Sequence, residues 1–330
     1  PGLIRALANG ARHMYSPSTA RKCLRYTTLS VVVALSTFFF GTQATADEQL
    51  AFATPAEAVQ ALIDALRSES PAAAVIKILG PDADDIVDSG DPVDDEARRS
   101  RFLVAYDEGH QIEQDGDAKA TLVIGKDEFP FPIPIVSGNG KWHWDTAAGV
   151  DEILTRRIGE NELSAIEVMR AYVAAQLEYA DKERDGKGVQ FARRLLSSEG
   201  RRDGLYWPSN EGEEQSPIGP LIAEAQREGY KRRADGEGQP PAYHGYVYKM
   251  LFAQGANAAD GAREYIVNDR MIGGFALIAT PADYGNSGVM TFIVNQDGIV
   301  YEKDLGPDTA SEAQKITSFD PDSGWQKIAE

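Results

Sequence analysis

The sequence predicts an α+β fold in two units, each opening with helices and closing with a small antiparallel sheet. Two observations carry this. Apolar residues recur at helical spacing early in each unit, and runs of β-branched and aromatic residues with Asn-Gly or Asp-Gly turns follow them. The chain is also long enough for two domains of ordinary size.

Residues 1–46 have the layout of an export signal. Arg21, Lys22 and Arg25 precede an apolar run from Leu29 to Phe40, and Ala44-Thr45-Ala46 gives the small-x-small triplet that signal peptidase accepts before Asp47. The apolar run is about a dozen residues, where a membrane span needs roughly twenty, so cleavage near Ala46 is expected rather than anchoring. The chain opens on Pro1, and Met14 is the candidate true start. Cys23, the only cysteine, lies ahead of the apolar run. The mature part therefore has no disulfide, thiolate nucleophile or cysteine metal ligand.

The first unit is expected over 47–150. Thr54-Pro55-Ala56-Glu57 reads as an N-cap, a proline at the first helical position and a capping-box glutamate, followed by Val59, Leu62, Ile63 and Leu66 on one face. A second helix carries Val75, Ile76 and Leu79 and stops at Gly80. After Pro92 a third carries Phe102, Leu103 and Tyr106. Strands are expected at Ala120–Gly125, Phe129–Val136 and Lys141–Asp145, with Ser137-Gly138-Asn139-Gly140 as a hairpin turn. Alternation of apolar residues with Pro130, Pro132 and Pro134 makes the middle run an edge strand or polyproline-like, since proline cannot donate to a ladder.

The second unit is expected over 151–330. A long helix runs through Ile153, Leu154 and Ile158, keeps a stripe of Ile166, Met169, Val173 and Leu177, and ends near Asp185. Residues 197–242 read as loops around one short helix after Ser216-Pro217. Four strands follow, at Tyr243–Phe252, Gly274–Ala279, Val289–Val294 and Ile299–Lys303, the last two joined across Asn295-Gln296-Asp297-Gly298.

The formal charge is −18, and loss of the signal's five basic residues with no acidic ones takes it to −23. Such a charge repels nucleic acid and anionic membrane surfaces, and suits a cationic partner. Of the histidines only His110, His143 and His244 lie in the mature part, none in a zinc-binding His-Glu-x-x-His or a close pair. Gly285-Asn286-Ser287-Gly288 falls one residue short of a nucleophile elbow and reads as a loop. No catalytic residue, metal ligand or cofactor is therefore assigned.

Three weaker patterns remain. Asp82, Asp84, Asp85, Asp88, Asp91, Asp94, Asp95 and Glu96 offer carboxylates for calcium, without the EF-hand spacing, and read more simply as a solvated face with helix caps. Tyr243, Tyr246, Tyr248 and Phe252 crowd one strand, with Tyr206 and Trp207 in the loops before it. Tyr246, Tyr248, Tyr206 and Trp207 are the candidate binding residues, although packing against the long helix accounts for them as well. Arg193, Arg194, Arg201 and Arg202 form a local basic concentration that reads most simply as ordinary surface arginines and otherwise as a docking patch.

Several segments resemble the bacterial family called domain of unknown function 2950: Ile78-Leu79-Gly80-Pro81-Asp82, Phe131-Pro132-Ile133-Pro134, Arg157 to Leu163, Gly273 to Leu277 and, most specifically, Gly288 to Gly298. The resemblance spans nearly all of the mature chain and implies no activity. A more distant one touches about half of it. Asn161 to Ile166 with Arg170, Ala175-Gln176 and Tyr179-Ala180 is similar to the helix leading into type IV pilin and pseudopilin heads, and the later strands are similar to their sheet. It implies a pilin-like head, a long helix packed on a four-stranded antiparallel sheet. Pilins carry an apolar half-helix where this chain has Asp151, Glu152, Arg156, Arg157 and Glu160, charges that neither lipid nor a filament core accepts.

The expected protein is thus a soluble periplasmic or secreted one, without a membrane span in its mature part. Its leading function is non-enzymatic, as an interaction or assembly module whose partner is an envelope or secretion-system protein. The alternatives are a carboxylate-based hydrolase using residues such as Asp283 or Glu264, and a calcium or small-ligand binder.

Overall fold

A computed structural model describes residues 49–329 except 185, 187, 211 and 231–240. The export signal and its cleavage point lie outside the described residues.

Helix α1 (Pro55–Leu66) starts as its sequence dictates. Thr54 Oγ1 accepts the Glu57 N–H at 3.2 Å, and the Glu57 carboxylate reaches back to the Ala53 N–H at 3.1 Å. Its face of Ala58, Val59, Leu62 and Ile63 is buried. Helix α2 (Pro71–Leu79) ends at Gly80, whose φ of +93° favours glycine. The four-residue α3 (Asp84–Val87) and α4 (Pro92–Glu108) follow, with Asp91 capping α4.

The first sheet has the order β1 (His110–Asp115), β2 (Lys119–Ile124), β4 (Ile135–Gly138), β5 (Lys141–Trp144), with β3 (Phe129–Pro130) also on β2. Strand β1 lacks an apolar rhythm, having one apolar residue, Ile112, among polar ones. It forms because the turn at Gly116 (φ +67°) folds it onto β2. The proline run is neither a single edge strand nor continuous polyproline. Val123 pairs with Pro130 and Ala120 with Ile135, so two residues of β2 face the four from Phe131 to Pro134. Pro132 and Pro134 fall in this bulge, where no ladder N–H is needed. The β4–β5 turn is as read, with Asn139 and Gly140 both at positive φ.

Helix α5 (Val150–Ala180) packs on the second sheet, ordered β14–β13–β12–β11–β6 and antiparallel throughout. Its strands are β6 (Tyr246–Leu251), β11 (Ala276–Pro281), β12 (Met290–Asn295), β13 (Tyr301–Asp304) and β14 (Gln326–Lys327). The expected four are present, and β14 adds a short edge. Between β6 and β11 lie two small pairs, β7 (Ala253–Gln254) with β8 (Arg263–Glu264) and β9 (Ile266–Val267) with β10 (Arg270–Met271). Helix α6 (Gly219–Glu228) precedes the sheet and α7 (Thr309–Lys315) follows β13. The buried stripe of α5 is Ala165, Met169, Tyr172, Gln176 and Tyr179, whereas Leu177 is 49 % exposed. Met169 and Val173 of the expected stripe are buried, Ile166 packs beside them, and Tyr172, Gln176 and Tyr179 share that face through hydrogen bonds to Ala276 O, Ala192 O and Arg202 O.

Two hydrophobic clusters result. One draws on α1, α2 and the first sheet and includes Leu62, Ile63, Leu122, Ile133 and Trp144. The other draws on α5 and the second sheet and includes Met169, Tyr172, Phe275, Ile293 and Phe292. The first half of α5 spans both through polar contacts. The Arg157 guanidinium donates to the carbonyls of Asp85 and Ile86 and to Asn286 Oδ1, and Asn161 Nδ2 donates to Ser287 O at 2.9 Å.

Candidate functional site

Asp91 sits at the centre of this polar seam and is 1 % exposed. One oxygen caps α4 by accepting the N–H groups of Val93 and Asp94 at 3.2 and 3.3 Å. The other accepts the Tyr230 hydroxyl at 2.8 Å and the Gly245 N–H at 3.0 Å. A cap in the first half of the chain thereby fixes the turn that opens β6.

That turn runs from Tyr243 to Tyr246, closed by hydrogen bonds between their backbones at 2.8 and 3.2 Å. Its central residues, His244 and Gly245, have φ of +49° and +70°, a pair of positive values that ordinarily selects Asn-Gly. Glycine is required at 245, since a Cβ there would overlap the Asn161 amide and lie 3.1 Å from Ser287 Cβ. Histidine at 244 tolerates the left-handed region less well than Asn, so its placement costs conformational energy that the surrounding contacts supply.

The turn gathers three rings. Tyr230 and Tyr243 meet edge to face at 4.9 Å between centroids, and Tyr243 lies 4.2 Å from the tilted imidazole of His244. The His244 backbone N–H donates to the Tyr230 hydroxyl at 3.2 Å, and His244 Nε2 stands 3.3 Å from Glu228 Oε2, at the end of α6. Burial raises the Tyr243 phenol, and Glu228 and Glu224 raise it further. Tyr230 is raised by burial together with Asp91 and Asp94, and Tyr248 by burial with Tyr243 and Asp91. The hydroxyl of Tyr248 is buried without a hydrogen-bond partner among the described residues. Phenols so raised stay protonated at neutral pH and act as hydrogen-bonding groups rather than nucleophiles.

Of the four residues proposed for binding, Tyr246 and Trp207 are buried in the second hydrophobic cluster. Tyr246 donates to Met290 O at 2.9 Å and Trp207 Nε1 to Glu214 O at 3.0 Å. Tyr206 and Tyr248 are half-buried against the same cluster. The core role weighed for these aromatics thus describes Tyr246 and Trp207, and Tyr246 is the one of the four whose backbone pairs with Tyr243. Tyr230, Asp91 and His244 escaped the sequence reading as a group. The signal that could have raised the turn is His-Gly between tyrosines at the head of a strand.

The other candidates have structural employment. Within the acidic stretch, Asp94 pairs with Arg98 at 2.6 Å, Asp95 accepts the Ser89 N–H at 3.1 Å, and Asp88 accepts that of Gly90 at 3.0 Å. Among the described residues no group of three or more His, Cys, Asp or Glu side chains is placed to hold a metal ion. The basic residues pair separately, Arg193 with Asp269, Arg201 with Asp203, and Arg202 with Glu214. His110 stacks on Tyr106. Ser287 donates to Asp283 O at 3.0 Å, Asp283 holds the Asn286 amide at 3.0 Å, and Glu264 is exposed on β8. Among the described residues no helix is long and apolar enough to cross a membrane.

No curated protein and no solved structure matches this chain. A family model does, over residues 49–328, and its description is protein of unknown function (DUF2950).

Proposed function

Since the chain belongs to the DUF2950 family, whose description carries no activity, we propose from the geometry that it is an exported, non-enzymatic module that docks another protein of the cell envelope. The observation that carries this reading is the half-buried cluster of Tyr230, Tyr243 and His244 at the head of β6. Such groups suit recognition: aromatic rings bring contact area at low entropic cost, and strain at His244 persists where a fixed presentation is needed. The hydroxyls beside His244 are phenols held protonated, which leaves it no activated oxygen nucleophile among these neighbours.

The sequence supports the location, periplasmic or secreted, through the tripartite segment before Asp47. Helix α5 lying on an antiparallel sheet supports the further reading that the second half is a pilin-like head recruited as a separate module, with an envelope or secretion-system protein as its partner. The test is mild cross-linking in the native envelope followed by affinity capture of the tagged mature chain, in parallel with a Tyr243→Leu chain. Reproducible capture of one envelope component is expected. Recovery of nothing above a tag-only control overturns the docking role.

A further inference from the structure

We infer that the corner formed by Tyr230, Tyr243 and His244, rimmed by Glu224 and Glu228, receives a lysine side chain presented by a protein partner. The inference rests on the docking role proposed above and names what that site recognises. Ring faces attract a cation through their quadrupoles, and an adjacent carboxylate adds charge. Glu224 and Glu228 are four residues apart on the last turns of α6 and therefore share a face. Glu228 also sits at the carbonyl end of that helix, where the helix dipole disfavours an anion, so its position is unfavourable for α6 alone. In the cluster it lies against both Tyr243 and His244.

Ring angles distinguish the cation. The Tyr230 and Tyr243 planes meet at 75° and those of Tyr243 and His244 at 55°. That makes a corner rather than a flat slot. A guanidinium needs a parallel face to stack on, whereas a compact ammonium with three donors fits a corner. The charge of −18 draws basic partners toward the surface.

The probe is a hexalysine peptide, titrated into the purified chain by calorimetry beside its fully Nε-acetylated and hexa-arginine counterparts. Hexalysine is expected to bind, the acetylated peptide not to bind, and Arg to bind more weakly than Lys. Glu228→Gln, an exposed change, and Tyr243→Leu should each weaken Lys binding at least about tenfold, the scale of one lost charge-assisted contact. A thermal melt of each variant separates lost binding from lost fold. Equal binding by the wild type and Glu228→Gln, with melts unchanged, marks attraction to net charge alone and overturns the site, as does absence of binding. Lys231, Arg232 and Arg233 follow Tyr230 in the sequence, so the titration is repeated with all three replaced by Ser. Unchanged affinity is expected, and binding seen only in that variant overturns a partner in trans. Envelope capture that persists in the Tyr243→Leu chain would remove the lysine site and leave the docking role standing. Loss of all capture by the wild type would remove the docking role itself.

Discussion

Replacing Asp91 with Ala removes one carboxylate and four hydrogen bonds at once. Two of these cap α4, and loss of a cap costs about 1 kcal/mol. The Gly245 N–H is buried and would be left without its acceptor, at about 1–3 kcal/mol. The Tyr230 hydroxyl is half-buried and keeps the His244 N–H as a donor to it, so its lost bond contributes about 0.5–1.5 kcal/mol. The combined loss is about 3–5 kcal/mol, a large fraction of a typical stability of 5–15 kcal/mol. Asp91→Asn keeps an oxygen for either the cap or the turn but not for both, so about half of that loss is expected. Urea unfolding followed by far-UV circular dichroism reads the difference as a lower midpoint at constant slope. A loss below about 1 kcal/mol for Asp91→Ala would mean that water replaces the carboxylate, and the claim that this cap holds the β6 turn would fall.

Gly245→Ala should destabilise by about 2–4 kcal/mol, since the position combines a positive φ with overlap of the Asn161 amide; a loss under 0.5 kcal/mol in the same urea assay would show that the turn relaxes freely. Burial holds the Asp95 carboxyl above its ordinary value of 3.8, so the folded state binds more protons than the unfolded chain just above that pH. This group's contribution is full below pH 3.8 and is lost as pH rises through its folded pKa. Asp95→Asn should therefore flatten that part of the stability-versus-pH curve, and an unchanged curve would contradict the burial argument.

The helices were legible where local chemistry alone decides them. The Thr54 capping box, the stop at Gly80 and the Asn139-Gly140 turn each act within a few residues, and each stands where its residue types put it. Strand β1 was not legible, because its pairing comes from β2 and its own polar sequence carries no alternation. The stripe of α5 was legible at Met169 and Val173 but not in its polar members, because Gln176 and the phenol of Tyr179 find their partners, Ala192 O and Arg202 O, only in the segment that follows the helix. The candidate site shows the same division. The crowding of tyrosines around β6 was visible, but the seam joining Asp91 to Gly245 spans 154 residues and depends on tertiary placement. Asp91 read as one carboxylate in an acidic run, and only the fold distinguishes it from exposed members of that run such as Asp82, Asp84 and Asp88.

Docking through the head of β6 can be read by placing a photo-cross-linking phenylalanine analogue at position 243 and, as a control, at position 104 on the exposed side of α4, in cells that export the chain. One reproducible adduct with an envelope protein is expected from position 243 and none from position 104. An adduct from both positions alike, or from neither, would contradict that docking.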